Sequence, residues 1–114
     1  MTIFTLSGPH PLSGFAIGNV VPWQTPGVFV LGRLTSRGAL RPVQLVGRSD
    51  SDLAAALREH ARRYEAQAFL FERARSALAA FEMECELFHR LRSPELRHPQ
   101  RTHGTTWRCP VCEI

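Results

Sequence analysis

A chain of 114 residues with 44% apolar content and a net charge of +4 fits one domain with a modest core, of the kind a staple would help. Its three cysteines, an odd count, exclude a fully paired disulfide framework, and no run of about 18 apolar residues offers a membrane span. All fourteen basic residues are arginine; arginine suits phosphate and stacking contacts better than lysine, and this charge permits nucleic-acid binding without implying it.

The opening MTIFTLSGPHPLSG has neither a basic n-region nor a long apolar core, so no signal peptide is expected. A reducing cytoplasm, where thiolates are free to bind metal, fits best. Thr2–Leu6 reads as a short strand, after which Gly8, Pro9, Pro11, Gly14, Pro22 and Pro26 point to irregular structure through residue 26. Residues 27–34, GVFVLGRL, are apolar and β-branched and predict a strand. Ser36-Arg37-Gly38 predicts a turn, and residues 41–47, RPVQLVG, the returning strand of a hairpin. Asp50-Ser51-Asp52 offers N-caps to a helix over about 52–65, with Leu53, Leu57, His60, Ala61 and Tyr64 at helical spacing. Ala68–Glu72 predicts a third strand. Ser76 then caps a second helix running to about Leu91, with Ala77, Ala80, Phe81, Leu87, Phe88 and Leu91 as its apolar stripe and Pro94 as its stop. Residues 92–108, rich in Arg and His, predict a loop. The order β-β-α-β-α predicts a small α+β domain: a three-stranded sheet flanked by helices, with a 1–26 extension, a 27–92 core and a 93–114 tail.

The sharpest chemical signal lies in four residues. Cys85 and His89 are four apart on the second helix and so share a face. Cys109-Pro110-Val111-Cys112 adds two thiolates, completing a Cys3His set of the kind that holds structural zinc. His98 and His103, in the loop before the Cys pair, compete for the fourth place. The bland alternative is a buried free Cys85 and an unrelated C-x2-C. Redox work fits the C-x2-C poorly, since only two residues follow it and no helix opens there.

Two further features stand out. Glu84 falls between Phe81 and Phe88 on the apolar stripe, where a carboxylate is costly unless paired or functional; an edge position with an arginine salt bridge is the competing reading. Glu82 and Glu86 read as solvated helix surface. Gly47-Arg48-Ser49-Asp50 lies between a strand and a helix, where glycine lets backbone approach a phosphate; the commoner reading is a strand-to-helix turn with an Asp cap.

Over residues 27–92 the pattern resembles a GIY-YIG nuclease domain. Gly27-Val28-Phe29 stands where the first motif would be, Leu45-Val46-Gly47 where the second would be, and Ala79–Glu84 is similar to the segment that ends in the metal-binding glutamate. The resemblance implies a small three-stranded sheet with flanking helices, two motif tyrosines that position or deprotonate the attacking water, a helix arginine that steadies the phosphate, and a divalent cation at Glu84. The chain departs from it. The tyrosine positions are Phe29 and Leu45, and the helix arginine position falls at about Ala56. Phe and Leu cannot transfer a proton, and a cation without a positioned nucleophile is a poor catalyst. Arg48 or Arg58 are the substitutes for the missing arginine, and His60 is a candidate base.

The expectation is therefore a zinc-stabilised, catalytically inactive GIY-YIG-like binding module. Its partner is nucleic acid, reached through Arg48, Arg58, Arg62 and Arg63, or a protein. The alternative is a divergent Mg²⁺-dependent endonuclease using Glu84, Arg48 and His60. A third reading is an assembly protein whose arginine-rich helix is only a solvated face.

Overall fold

Gly27–Leu34 is apolar at successive positions, and a strand written that way needs cover on both faces. The computed structural model, which describes residues 6–63, 66–91 and 96–112, supplies that cover. Strand β2 (Gly27–Leu34) lies inside a four-stranded antiparallel sheet with β1 (Ser7–Pro11), β3 (Leu40–Ser49) and β4 (Ala68–Arg73), in the order β1-β4-β2-β3. Alternate residues of β2 face opposite ways. Phe29 and Leu31 pack with Phe69 against Ile17 of helix α1 (Gly14–Val20) and Leu53 and Leu57 of helix α2 (Leu53–Arg63). Val28 and Val30 pack on the other face against Leu87 of helix α3 (Ala77–Leu91). Each fully buried side chain of this set contributes about 1.5–3 kcal/mol by burial.

The expected hairpin, both later helices and the 68–72 strand all form. The strand count does not hold: there are four strands where three were expected. Residues 7–20, expected to be irregular, supply β1 and α1. Prolines at 9 and 11 are tolerated because β1 is an edge strand, which leaves outward N–H groups unused. Helix α1 is capped by Ser13, whose Oγ accepts from the Ala16 N–H at 3.2 Å, and is anchored by a single buried residue, Ile17. Strand β3 also runs on through Arg48 and Ser49, so the tetrapeptide expected as a turn is mostly strand. Ser49 Oγ then accepts from Asp52 N–H at 2.9 Å, and Asp52 Oδ1 from Ala55 N–H at 3.2 Å, which starts α2. Ser76 caps α3 as expected, accepting from Ala79 N–H at 3.0 Å. Glu86 is buried and not part of a solvated face, while Glu82 is half-buried.

The strand expected over Thr2–Leu6, save Leu6 itself, lies outside the described residues, as do Tyr64 and Pro94. The described tail, 96–112, has neither helix nor strand and crosses the sheet face that carries α3. No described helix is long and apolar enough to cross a membrane.

Candidate metal centre and the cleft beside it

The last turn of α3 presents His89, and the tail brings His98, Cys109 and Cys112 to it. The four ligand atoms all lie within 4.8 Å of one another. Cys109 Sγ is 3.4 Å from His89 Nε2, and His98 Nε2 is 3.3 Å from Cys112 Sγ. Zinc–nitrogen and zinc–sulfur bonds of about 2.0 and 2.3 Å at tetrahedral angles place N and S about 3.5 Å apart. These separations are close to that edge, so the set could hold a metal ion and is consistent with zinc.

The surroundings fit ligation. His98 Nδ1 is 2.8 Å from the Pro99 carbonyl oxygen. A carbonyl only accepts, so Nδ1 carries the proton and Nε2 turns its lone pair toward the cluster, the outer-shell arrangement common to metal-bound histidines. The Phe88 ring meets both His89 and His98 edge-on, at 5.1 and 5.2 Å between centroids. Cys109 is buried, which disfavours its thiolate, but the backbone N–H groups of Cys112 and Val111 and contacts from His98 and Cys112 lower its pKa to about 6. Metal binding needs the deprotonated form.

The set differs from the one expected. His89, Cys109 and Cys112 come together as predicted, but His98 takes the place assigned to Cys85. Cys85 does share the face of His89, yet it sits one turn deeper, in the apolar cluster of Phe81, Cys109 and Trp107. Burial and the neighbouring Cys109, to which it hydrogen-bonds, push its thiol pKa far up. His103 is exposed and outside the cluster.

One turn back along α3, Glu84 lines a cleft of about 470 Å³ together with Phe29, Leu45, Gly47, Arg48 and His60. The strand register brings Phe29, Leu45 and Gly47 together on one face, whereas Arg48, opposite Val28, reaches Glu84 from the other. Phe29 pairs with Gly47, and Leu31 with Leu45, so the two motif positions face the same side. A Cβ on Gly47 would lie 2.6 Å from the Phe29 ring, so only glycine leaves that ring its place. The His60 ring lies 5.1 Å from the Phe29 ring, tilted by 54°, and burial, aided by Arg63, lowers its pKa from the ordinary imidazole value.

Arg48 commands this cleft. Its Nη1 donates to Glu84 Oε1 at 2.7 Å, its Nε to Asp50 Oδ1 at 2.8 Å and its Nη2 to Thr102 Oγ1 at 3.1 Å. Its guanidinium lies 5.1 Å from the centroid of the Phe81 ring. Thr102, from the tail, also donates to Asp50 Oδ2. Burial raises the Glu84 pKa against the pull of Arg48. Burial also opposes the Asp50 carboxylate, but the Thr102 hydroxyl and Arg48 prevail and hold its pKa below the ordinary value.

Of the other predicted contact residues, Arg62 and Arg63 share Glu59, at 2.7 and 2.9 Å. Arg58 lines a separate hollow with Leu12, Ser13 and Gly14. Thus Arg48, Glu84 and His60 share one site, whereas Arg58, Arg62 and Arg63 do not join it. Sequence reasoning missed Thr102 altogether and gave Asp50 only a capping role. Nothing local marks a threonine 54 residues from its arginine partner. Comparison with known proteins returns no match to this chain among family models, curated proteins or solved structures.

Proposed function

We propose that this chain is a zinc-stapled, catalytically silent GIY-YIG-like domain that binds nucleic acid. The observation that carries the silent half is the seat of Arg48. Two carboxylates that would otherwise draw a divalent cation, Glu84 and Asp50, close on its guanidinium instead. Phe29 and Leu45 line the cleft where the resemblance implies tyrosines, so no phenol is there to take a proton from water. A tetrahedral His2Cys2 zinc with all four places filled by protein leaves none for substrate, so its role is structural. The basic balance of the chain, carried wholly by arginine, supports an anionic partner.

A second reading is favoured by one observation: Glu84, Arg48 and His60, the residues a divergent Mg²⁺-dependent nuclease would use, do line the same cleft. Purified protein incubated with supercoiled plasmid and Mg²⁺ or Mn²⁺ separates the two. The silent module leaves the plasmid intact. Nicking that disappears in Glu84→Ala establishes the nuclease and ends the first reading.

A further inference from the structure

The arginines of this chain differ in what already holds them. Arg48 is engaged by Asp50, Glu84 and Thr102. Arg62 and Arg63 share the single carboxylate of Glu59. Arg73 and Arg75 line one hollow with Glu82 and Glu86, and Arg97, Arg101 and Arg108 are exposed but spread along twelve residues of the tail. The far end of the β2–β3 hairpin is different. Arg33, Arg37 and Arg41 fall within nine residues there, all three are exposed, and none forms an ion pair among the described residues. No aspartate or glutamate occurs anywhere before Asp50, so the hairpin contains no carboxylate of its own to offset them.

The shape of this arm matters as much as its charge. Burial along β2 ends at Gly32, and from Arg33 to Pro42 every residue is exposed or half-exposed. The arm is a two-stranded antiparallel ribbon held by the Gly32–Val43 and Leu34–Leu40 pairs, with Leu40 and Val43 packed on the Val28, Val30 and Leu87 cluster and the three arginines exposed. Its tip is internally braced: Thr35 N–H donates to the Ala39 carbonyl at 2.8 Å, Gly38 N–H to the Thr35 carbonyl at 3.0 Å, and Ala39 N–H to Thr35 Oγ1 at 3.1 Å. Leu34 N–H donates to Gln67 Oε1 at 3.1 Å, which ties the arm's base to the segment before β4. A braced ribbon loses little entropy on docking. Strands about 4.8 Å apart form a ribbon that fits the major groove of B-DNA, about 12 Å wide.

We propose that the arm of Arg33, Arg37 and Arg41 is the surface by which this protein grips duplex DNA, with the ribbon in the major groove and the three guanidinium groups on flanking phosphates. This rests on the nucleic-acid reading above and names its contact surface, which is not the Arg48, Arg58, Arg62 and Arg63 set.

The test is fluorescence anisotropy of a labelled random-sequence duplex of about 20 bp, with salt varied from about 50 to 200 mM. Each phosphate contact adds about −0.9 to the slope of log K against log salt. Arg33→Gln/Arg37→Gln/Arg41→Gln should therefore flatten the slope by about 2.7 and weaken binding on the order of a hundredfold near 0.1 M salt. The triple lysine variant should keep most of both, because lysine also neutralises phosphate, whereas Arg62→Gln/Arg63→Gln should change affinity less than about twofold. All three arm positions are exposed, so circular dichroism and melting should match wild type. Wild-type binding that survives the triple glutamine change with its slope intact overturns the arm and leaves the nucleic-acid reading standing. No wild-type binding even at the lowest salt overturns the reading beneath it. Displacement of the duplex by polyglutamate at equal charge would show a general anion patch and also overturn the proposal.

Discussion

Two clusters of ligand-type side chains flank α3 about one turn apart, and they differ in what balances their charge. Around His89 the four ligand-type atoms lie within 4.8 Å of one another, with His89 paired to Cys109 and His98 to Cys112. Around Glu84 the donors already enclose a cation, the Arg48 guanidinium. The first set could hold an ion from outside, and the second carries its own cation. Thr102 and the ligands His98 and Cys109 belong to the same tail segment, so the tail that closes the metal cluster also clamps Arg48. An outside cation at Glu84 would have to displace an arginine held by three groups.

The largest expected effect lies at the metal cluster. Protein purified without chelator should contain about one zinc per chain. His98→Ala and Cys109→Ser should each lose it, and stability should fall by at least about 3 kcal/mol, because metal affinity of this kind is folding free energy. Cys85→Ala should keep the metal, since the Cys85 thiol stands behind Cys109 and outside the four. Metal analysis of the three variants decides it: loss in Cys85→Ala with retention in His98→Ala would return Cys85 to the ligand set.

Next in size is the internal cation. The side chains of Arg48 and Glu84 are only 12% and 11% exposed, so removing Arg48 strands Glu84. Arg48→Met should cost about 3 kcal/mol, the low end for a broken buried pair because the cleft admits water. Arg48→Met/Glu84→Leu should recover most of that loss, since apolar replacement of a whole buried pair is often neutral. Urea denaturation of both variants measures it. A double variant no better than the single would mean the pair is not the source of the cost.

The contrast also bears on what the sequence discloses. The hairpin, α2 and α3 were legible because their apolar periods are long and their caps, Asp52 and Ser76, are local. The strand β1 and helix α1 were not, because Pro9, Pro11 and Gly14 mask them and one buried isoleucine anchors the helix. Three of the four clustered metal donors were legible, from the spacing of a C-x2-C and the position of His89. The fourth was read as Cys85 from its helical spacing to His89, with His98 and His103 as competitors, whereas the cluster that could hold an ion contains His98. Spacing shows that two residues share a face, but not where along that face an irregular tail will cross it. Glu84 announced itself as a carboxylate on an apolar stripe. Its pairing with Arg48 spans 36 residues and depended on a strand edge that no local pattern reveals.

The smallest expected effect separates the two carboxylates that share Arg48. The Asp50 pKa is depressed in the folded state, so its contribution to stability is complete above the ordinary value of about 3.9 and is lost as pH falls through the folded value. The Glu84 pKa is raised, chiefly by burial, so the folded state holds that proton more tightly. Its favourable contribution is complete below the ordinary value of about 4.3 and is lost as pH rises through the folded one. The two carboxylates thus oppose each other across acid pH. Urea midpoints from about pH 3 to 7, read as each variant's difference from wild type so that loss of metal in acid is shared, should show the signs apart. Relative to wild type, Asp50→Asn should gain as pH falls below about 3.9, and Glu84→Gln should gain as pH rises above about 4.3. The same sign in both variants would mean that Glu84 is held as a carboxylate like Asp50, and that Arg48 outweighs its burial.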